Sequence, residues 1–296
     1  MSFVGRAFTP AFLPLFFDVK SISNRFYYIG AGLNLYRGVS CTAKVKPFSC
    51  VKLNFLFGGK ELNLPWIEEA VKRMLSIAGF NGVQGTLDFN FEVPLNFDLS
   101  LPTAALVSAL AALHSALKLN IPAKAVIDVA QEIEFNFKIG FGTAFLQSIG
   151  GLVVAKGSGG NLPQDFLKVN YPKDIRIVVG SVSSIEMLFY PHVWDNFHLS
   201  EVLDDISSVN SFDSIVLKTK LFVEKFATDF KSINSIVEGL RRLNPIVCGL
   251  SLNGKLVYAI CMKDEIIKFA DFLLDFFPCE GIMAFEVDPV GTRVYL

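Results

Sequence analysis

Histidine is scarce: the chain has three among 296 residues, at positions 114, 192 and 198. They are too few and too scattered for a metal cluster. Cysteine occurs five times, at 41, 50, 248, 261 and 279, and no pair has Cys-x-x-Cys spacing. The odd count and the spacing exclude a zinc site and a disulfide framework, and they read as buried thiols in a reducing compartment. One bond between Cys41 and Cys50 is left open, because the two could lie on neighbouring strands. Neither sign of charge is in excess. Lys and Arg number 27 against 28 Asp and Glu, for a net charge of -1. Nothing electrostatic argues for nucleic acid or for an anionic membrane surface. An uninterrupted apolar run is missing too. The start, "MSFVGRAFTPAFLPLFFDV", is interrupted by Arg6, Pro10 and Pro14 and does not read as a signal peptide. Leu99 to Leu117 contains Pro102, Thr103, Ser108, His114 and Ser115, and suits a buried core helix better than a membrane span. The expectation is a soluble cytoplasmic protein, with neither nucleic acid nor membrane as partner.

What the chain does have is apolar bulk. Hydrophobic residues make up 52% and charged residues 19%, and Phe alone occurs 29 times. That is enough for a sizeable core in one large or two ordinary domains.

The first third reads as strands. "VSCTAKVKPF" and "SCVKLNFLF" alternate apolar and polar residues. "GGKELN" supplies a turn, and "LPWIEEAVKRMLSIAG" a helix with Pro65 near its start and Gly79 at its end. "GTLDFNFEVPL" is another strand. Thr103 to Leu117 is dense in Ala and Leu, both strong helix formers. "PAKAVIDVAQEIEFN" is a second helix, begun by Pro122. Gly150-Gly151 leads into a short strand, Leu152 to Ala155. Gly157 to Asn161 has the most flexible composition, and a domain boundary is placed there, giving lobes 1–160 and 161–296.

The second half begins with the strand "DIRIVVGSV". Helices follow around "IVLKTKLFVEKFATDF" and "INSIVEGLRRL". Two strands flank Asn253-Gly254, a hairpin signal. "DEIIKFADFLLDFF" is a helix, and "GIMAFEVDPVGTRVYL" has strand character. Strands and helices alternate in both halves, which indicates an α/β or α+β protein of two lobes.

Four stretches resemble the GHMP family of small-molecule kinases, and within it the archaeal pantoate kinases. They are "RAFTPAFLPLFF", "IGAGLNLYRGV", "AQEIEFNFKIGFGTAFLQSIGGLVV" and "FFPCEGIMAFEVDPVGTRVY". The resemblance implies an N-terminal α/β lobe, a C-terminal ferredoxin-like α+β lobe and an active site between them. It implies ATP and Mg²⁺ as cofactors and no protein-held metal site. The implied activity is transfer of a phosphoryl group to the hydroxyl of pantoate, on the route to coenzyme A. A homodimer is implied as well, because family members often pair.

By the same resemblance, Pro94 to Ala105 stands where the family has a Gly/Ser-rich loop around the ATP phosphates. Such a loop needs glycines, because its backbone N–H groups must approach the anion closely. Here no residue of "PLNFDLSLPTAA" is glycine. Pro102 lacks an N–H, and Asp98 adds a negative charge where phosphates would sit. The remaining nucleotide contacts would be Ser100, Thr103, Ala104 and Ala105, with Ser100 or Thr103 alternatively a plain N-cap.

Thr143 stands where the family usually has the Asp that takes or orients the substrate proton, and Thr has no carboxylate to act as a base. Glu132 is the candidate substitute and Glu134 lies nearby, although both also fit an exposed helix face. Substrate contacts implied by the resemblance are Gly30, Gly32, Asn34, Gly140, Gly142, Ser183 and Ser184. The basic residues Lys138 and Lys156 are candidates to compensate for the altered loop. His192, Trp194 and His198 in "YPHVWDNFH" read as surface or packing residues. The sequence thus leaves two functions open: a pantoate kinase-like enzyme, or a catalytically inactive relative that is a binding or regulatory partner.

Overall fold

The computed structural model describes residues 2–22, 25–140, 142–156, 166–181, 206–226, 231–251 and 254–295. The chain opens with two long strands, β1 (Phe3–Ile22) and β2 (Arg25–Pro47), paired as an antiparallel hairpin. Pro10 and Pro14 lie inside β1. Proline cannot donate to the ladder, and the pairing slips at Pro10/Ala11 and at Pro14/Phe16.

Then come β3 (Lys52–Phe57), β4 (Lys60–Leu62), α1 (Pro65–Ile77) and β5 (Val83–Phe91). Next are α2 (Leu101–Leu117), α3 (Ala123–Phe137), α4 (Ala144–Ile149), β6 (Leu152–Ala155) and β7 (Phe166–Val169). The second part holds β8 (Ile175–Ser181), α5 (Phe212–Phe226), α6 (Lys231–Arg242), β9 (Val247–Leu250) and β10 (Leu256–Met262). It ends with α7 (Ile266–Leu274), β11 (Ile282–Phe285) and β12 (Arg293–Tyr295).

Two sheets result. The first has the order β12-β1-β2-β5-β3-β4, with β6 on the N-terminal half of β2 and β7 on β6. The second is antiparallel, in the order β11-β8-β10-β9. Counted along the chain that order is 4-1-3-2, the ferredoxin-like arrangement. The anticipated boundary at 160/161 lies outside the described residues. The first sheet takes β7 and β12 from beyond that point.

Helix α2 is buried on nearly every side, as an Ala/Leu-rich segment without a polar face must be. It lies so close on β1 that a Cβ at Gly5 would sit 2.2 Å from the Ala112 carbonyl oxygen. No helix among the described residues is long and apolar enough to cross a membrane. All five cysteines are free, so the bond left open between Cys41 and Cys50 is not formed. Cys41 is buried inside the first sheet while Cys50 is exposed beyond its end.

The two sheets share one core. Phe17 meets Phe222 and Phe226 of α5 at ring-centroid distances of 5.2 and 5.8 Å. Tyr258 of β10 donates its hydroxyl to the Leu15 carbonyl. The last segment returns to the first sheet. Asp288 Oδ1 accepts from the N–H groups of Val290 and Gly291, and its Oδ2 accepts from Arg293 at 2.6 Å. The Gly151 N–H donates to the Asp288 carbonyl and the Thr292 N–H to the Gln147 carbonyl. Gly150 has φ +74°, and a Cβ there would lie 2.3 Å from the Gly291 nitrogen. Glycine is therefore required at 150, both for conformation and for closeness.

Candidate active site

The site is built around the start of α2. The segment before it, 92–100, is closed upon itself. The N–H of Phe97 donates to the Pro94 carbonyl, and the N–H of Leu99 donates to the Phe97 carbonyl. The Leu99 carbonyl accepts from the Phe12 N–H of β1. The side chains of Phe97 and Leu99 point into the core, 3% and 0% exposed. Phe12 is fully buried against Tyr28. Apolar side chains fill the space before α2.

Ser100 holds the N-cap position of α2 in the left-handed region, with φ 53°, and its side chain makes no cap bond. Thr103 is not the cap either. Its hydroxyl donates to Glu134 Oε1 at 2.7 Å. Ala104 and Ala105 are packed in the core, and the Ala104 N–H is used by the Ser100 carbonyl.

The two candidate carboxylates part company. Residues two apart on a helix face different directions. Glu132 lies on the surface of α3, about half exposed, in an ion pair with Arg73 of α1. Glu134 is fully buried, so the exposed-face reading holds for Glu132 alone. Glu134, and not Glu132, meets Thr143. Oε1 of Glu134 accepts from the Thr143 N–H and hydroxyl at 3.2 and 3.1 Å, and Oε2 accepts from the Ala144 N–H at 3.1 Å. The carboxylate thereby caps α4, whose first N–H groups have no partner within the helix. Burial pushes the Glu134 carboxyl up to about 7, against the pull of the hydrogen bonds from Thr103, Ala144 and Thr143.

The signal for this inward turn lies in the apolar stripe of α3. Val126, Val129, Ala130 and Ile133 recur at three- and four-residue spacing, and Glu134 falls on their face.

The remaining candidates are placed as follows. Gly140 abuts the carboxylate: a Cβ there would lie 2.2 Å from Glu134 Oε1 and 2.5 Å from Thr103 Oγ1. Gly142 precedes Thr143 with φ +83°. Gly30 and Gly32 lie in β2, where a Cβ would run into Phe16 and Phe12 of β1. Asn34 is buried. Its amide donates to the carbonyls of Leu146 and Gly151, tying β2 to the end of α4. Gln147 likewise donates to the carbonyls of Pro10 and Ser100. Lys156 is engaged with the Ser207 carbonyl. Ser183, Ser184, His192, Trp194 and His198 lie outside the described residues.

Two groups can be tested against these donors. A triphosphate needs converging free N–H groups. In segment 94–105 those of Phe97, Leu99 and Ala104 are already used, and Pro102 has none. A magnesium ion needs oxygen lone pairs. The Glu134 oxygens face two hydroxyls and two backbone N–H groups, and those N–H groups would repel a cation. No cluster of three or more His, Cys, Asp or Glu occurs among the described residues. In this arrangement the Glu134 oxygens do not fit a magnesium ion, and the segment before α2 offers a triphosphate only the N–H groups of the helix start.

No family model matches the sequence, and no curated protein matches it. Solved structures do. The chain has the fold of the GHMP kinases over its whole length. One such structure, described as a phosphotransferase related to the CoA biosynthesis pathway, superposes with a TM-score of 0.79 at 19% identity, covering 99% of this chain and 98% of that one. Homoserine kinase from Cytophaga hutchinsonii gives 0.70 at 14% identity, covering 99% and 97%. The mevalonate diphosphate decarboxylase from Enterococcus faecalis, described with its ATP binding mechanism, gives 0.69 at 15% identity, covering 100% and 99%.

Proposed function

We propose that this chain is a pantoate kinase-like protein of the GHMP fold that acts by binding, as a non-catalytic or regulatory relative, and not by phosphoryl transfer. One observation carries the reading: the segment before α2 is closed by its own hydrogen bonds and by the inward side chains of Phe97 and Leu99. That closure occupies the N–H groups of Phe97 and Leu99 and fills the space beside them with apolar side chains, which disfavours a phosphate there. The absence of a carboxylate at Thr143 agrees with it.

A second reading is ATP-dependent phosphorylation of the pantoate hydroxyl. It is favoured by the buried trio Thr103, Glu134 and Thr143 at the start of α2, where a carboxyl near neutrality is matched to proton transfer. The fold shared with a phosphotransferase of CoA biosynthesis also supports it.

Calorimetry with Mg-ATP, with and without pantoate, separates the two. The first reading expects no binding heat at millimolar ATP. Micromolar binding followed by ADP release on adding pantoate would overturn it in favour of the second.

A further inference from the structure

The two edges of the second sheet are finished differently. Strand β9 is buried at every residue, against α5 and α6. Strand β11 is bonded to β8 on one side, and among the described residues no strand lies on its other side. Natural edges are blunted by Lys, Pro, a bulge or an inward charge. Residues 282–285 read Ile-Met-Ala-Phe, and their register with β8 runs without a break. Ile282 and Met283 are half-buried and Ala284 is exposed.

Helix α7 lies over β8 and β11. Phe269 and Leu273 point into the core. Phe272 turns toward α6, where a Cβ at Gly239 would lie 2.3 Å from its ring. The side away from α6 carries Ile266, Ala270 and Leu274 at four-residue spacing, with Ile267 beside them. Ile267 is 71% exposed and Leu274 49%. An apolar helix stripe thus stands next to an open apolar strand edge, and contiguous exposed apolar surface marks an interface.

We propose that β11 and α7 form the interface of a homodimer whose two-fold axis is normal to the second sheet. Such an axis sets β11 antiparallel to the partner's β11 and continues the sheet across the interface. It keeps both copies of α7 in one layer and sets them antiparallel. The spacing agrees with this arrangement. Strands stand about 4.8 Å apart, so a helix seated over β8 and β11 comes about two strand spacings, roughly 10 Å, from its copy, which is the separation of packed helices. Ala270, in the middle of the stripe, lies nearest the axis, and Ile267 faces the partner's Leu274.

Charge selects the same direction. Among the described residues the ion pair of this helix joins Lys268 to Glu265, which leaves Lys263 at one end of the stripe and Asp275 at the other without one. Antiparallel packing brings each Lys263 toward the partner's Asp275. Parallel packing would set Asp271 and Asp275 against their own copies. The inference goes beyond the binding reading above and fails separately from it, since oligomeric state and nucleotide heat are read independently.

Sedimentation velocity at high micromolar concentration should find wild type at twice the mass of one chain. Ile267→Glu combined with Leu274→Glu should sediment as a monomer with the circular dichroism of wild type, because both side chains stand out from the fold. A monomeric wild type would overturn the proposal, and so would a double variant that stays dimeric. If the double variant does not fold, a cross-link serves. Cys50 and Cys279 are the exposed thiols. With both changed to serine, Ala270→Cys should be oxidised by glutathione disulfide to a covalent dimer that dithiothreitol releases, since the axis brings the two thiols within bonding distance. Glu224→Cys, exposed on α5, should remain a single chain on a denaturing gel. No cross-link at 270, or equal cross-linking at 224, would overturn the interface.

Discussion

Glu134 shows how a single buried residue sets the behaviour of its surroundings. Its carboxyl is raised from 4.5 to about 7 by burial. The folded protein therefore keeps a proton that the unfolded chain releases. The stability contributed by the neutral form is full below the unfolded value of 4.5 and is lost as pH rises through about 7. The loss amounts to about 3–4 kcal/mol at most, because a tenfold difference in proton affinity between the folded and unfolded chain is worth about 1.4 kcal/mol. Urea titrations should find wild type less stable on the alkaline side of that window than on the acid side. Glu134→Gln, which cannot ionise, should flatten the profile. Equal slopes in the two proteins would mean that another group carries the pH dependence.

At the scale of elements, the start of α2 decides what the protein can hold. A surface loop tolerates truncation of its side chains, but segment 92–100 is fastened into the core. Leu99 is fully buried, and its carbonyl is bonded to β1. Leu99→Ala should cost about 2–5 kcal/mol, the range for large-to-small changes in a packed core, and not the few tenths typical of surface positions. Chemical denaturation measures it directly. Most elements are legible in the sequence because they follow one period. Helices α1, α2 and α3 and strand β5 match their apolar patterns to within a few residues. Strand β1 is harder to read, since its two prolines break the alternation and only the bulges accommodate them. Strand β7 goes unread in the sequence, whereas the equally short β6 is announced by the glycine pair before it. At the site, Thr143 is found by its place in a motif. Glu132 and Glu134 look alike in the sequence because both are carboxylates, although only Glu134 lies on the apolar stripe of α3.

At the scale of the whole molecule, the segment after β11 returns to the first sheet. Strand β12 pairs with β1, and the Asp288 turn packs against Gly150 and Gly151. A chain ending at Val287 would lose the edge strand, the Asp288–Arg293 pair and the backbone bonds to Gln147 and Gly151. Such a protein should lack a sharp thermal transition and show weak near-ultraviolet dichroism. A cooperative transition close to that of the full chain would show that the returning segment is dispensable. The aromatic contact between the sheets makes a second demand. Phe222 is 1% exposed and packs on Phe17 across the boundary. Phe222→Ala should lower stability by about 3–5 kcal/mol, and calorimetry should still show one transition because both sheets share that core. Two separated transitions would mean that the lobes fold independently.

By itself the sequence determined the alternation of strands and helices, the buried character of α2 and the lack of glycine before it. These are local properties of spacing and composition, and local sterics and burial enforce them. Only the tertiary structure decided that β12 joins the first sheet, that Phe97 and Leu99 fill the space before α2, and that Glu134 turns inward to meet Thr103 and Thr143. Those outcomes depend on contacts between residues far apart in the chain. The free energy of burying a group is set by the partners that arrive from elsewhere, and no spacing within one segment records them.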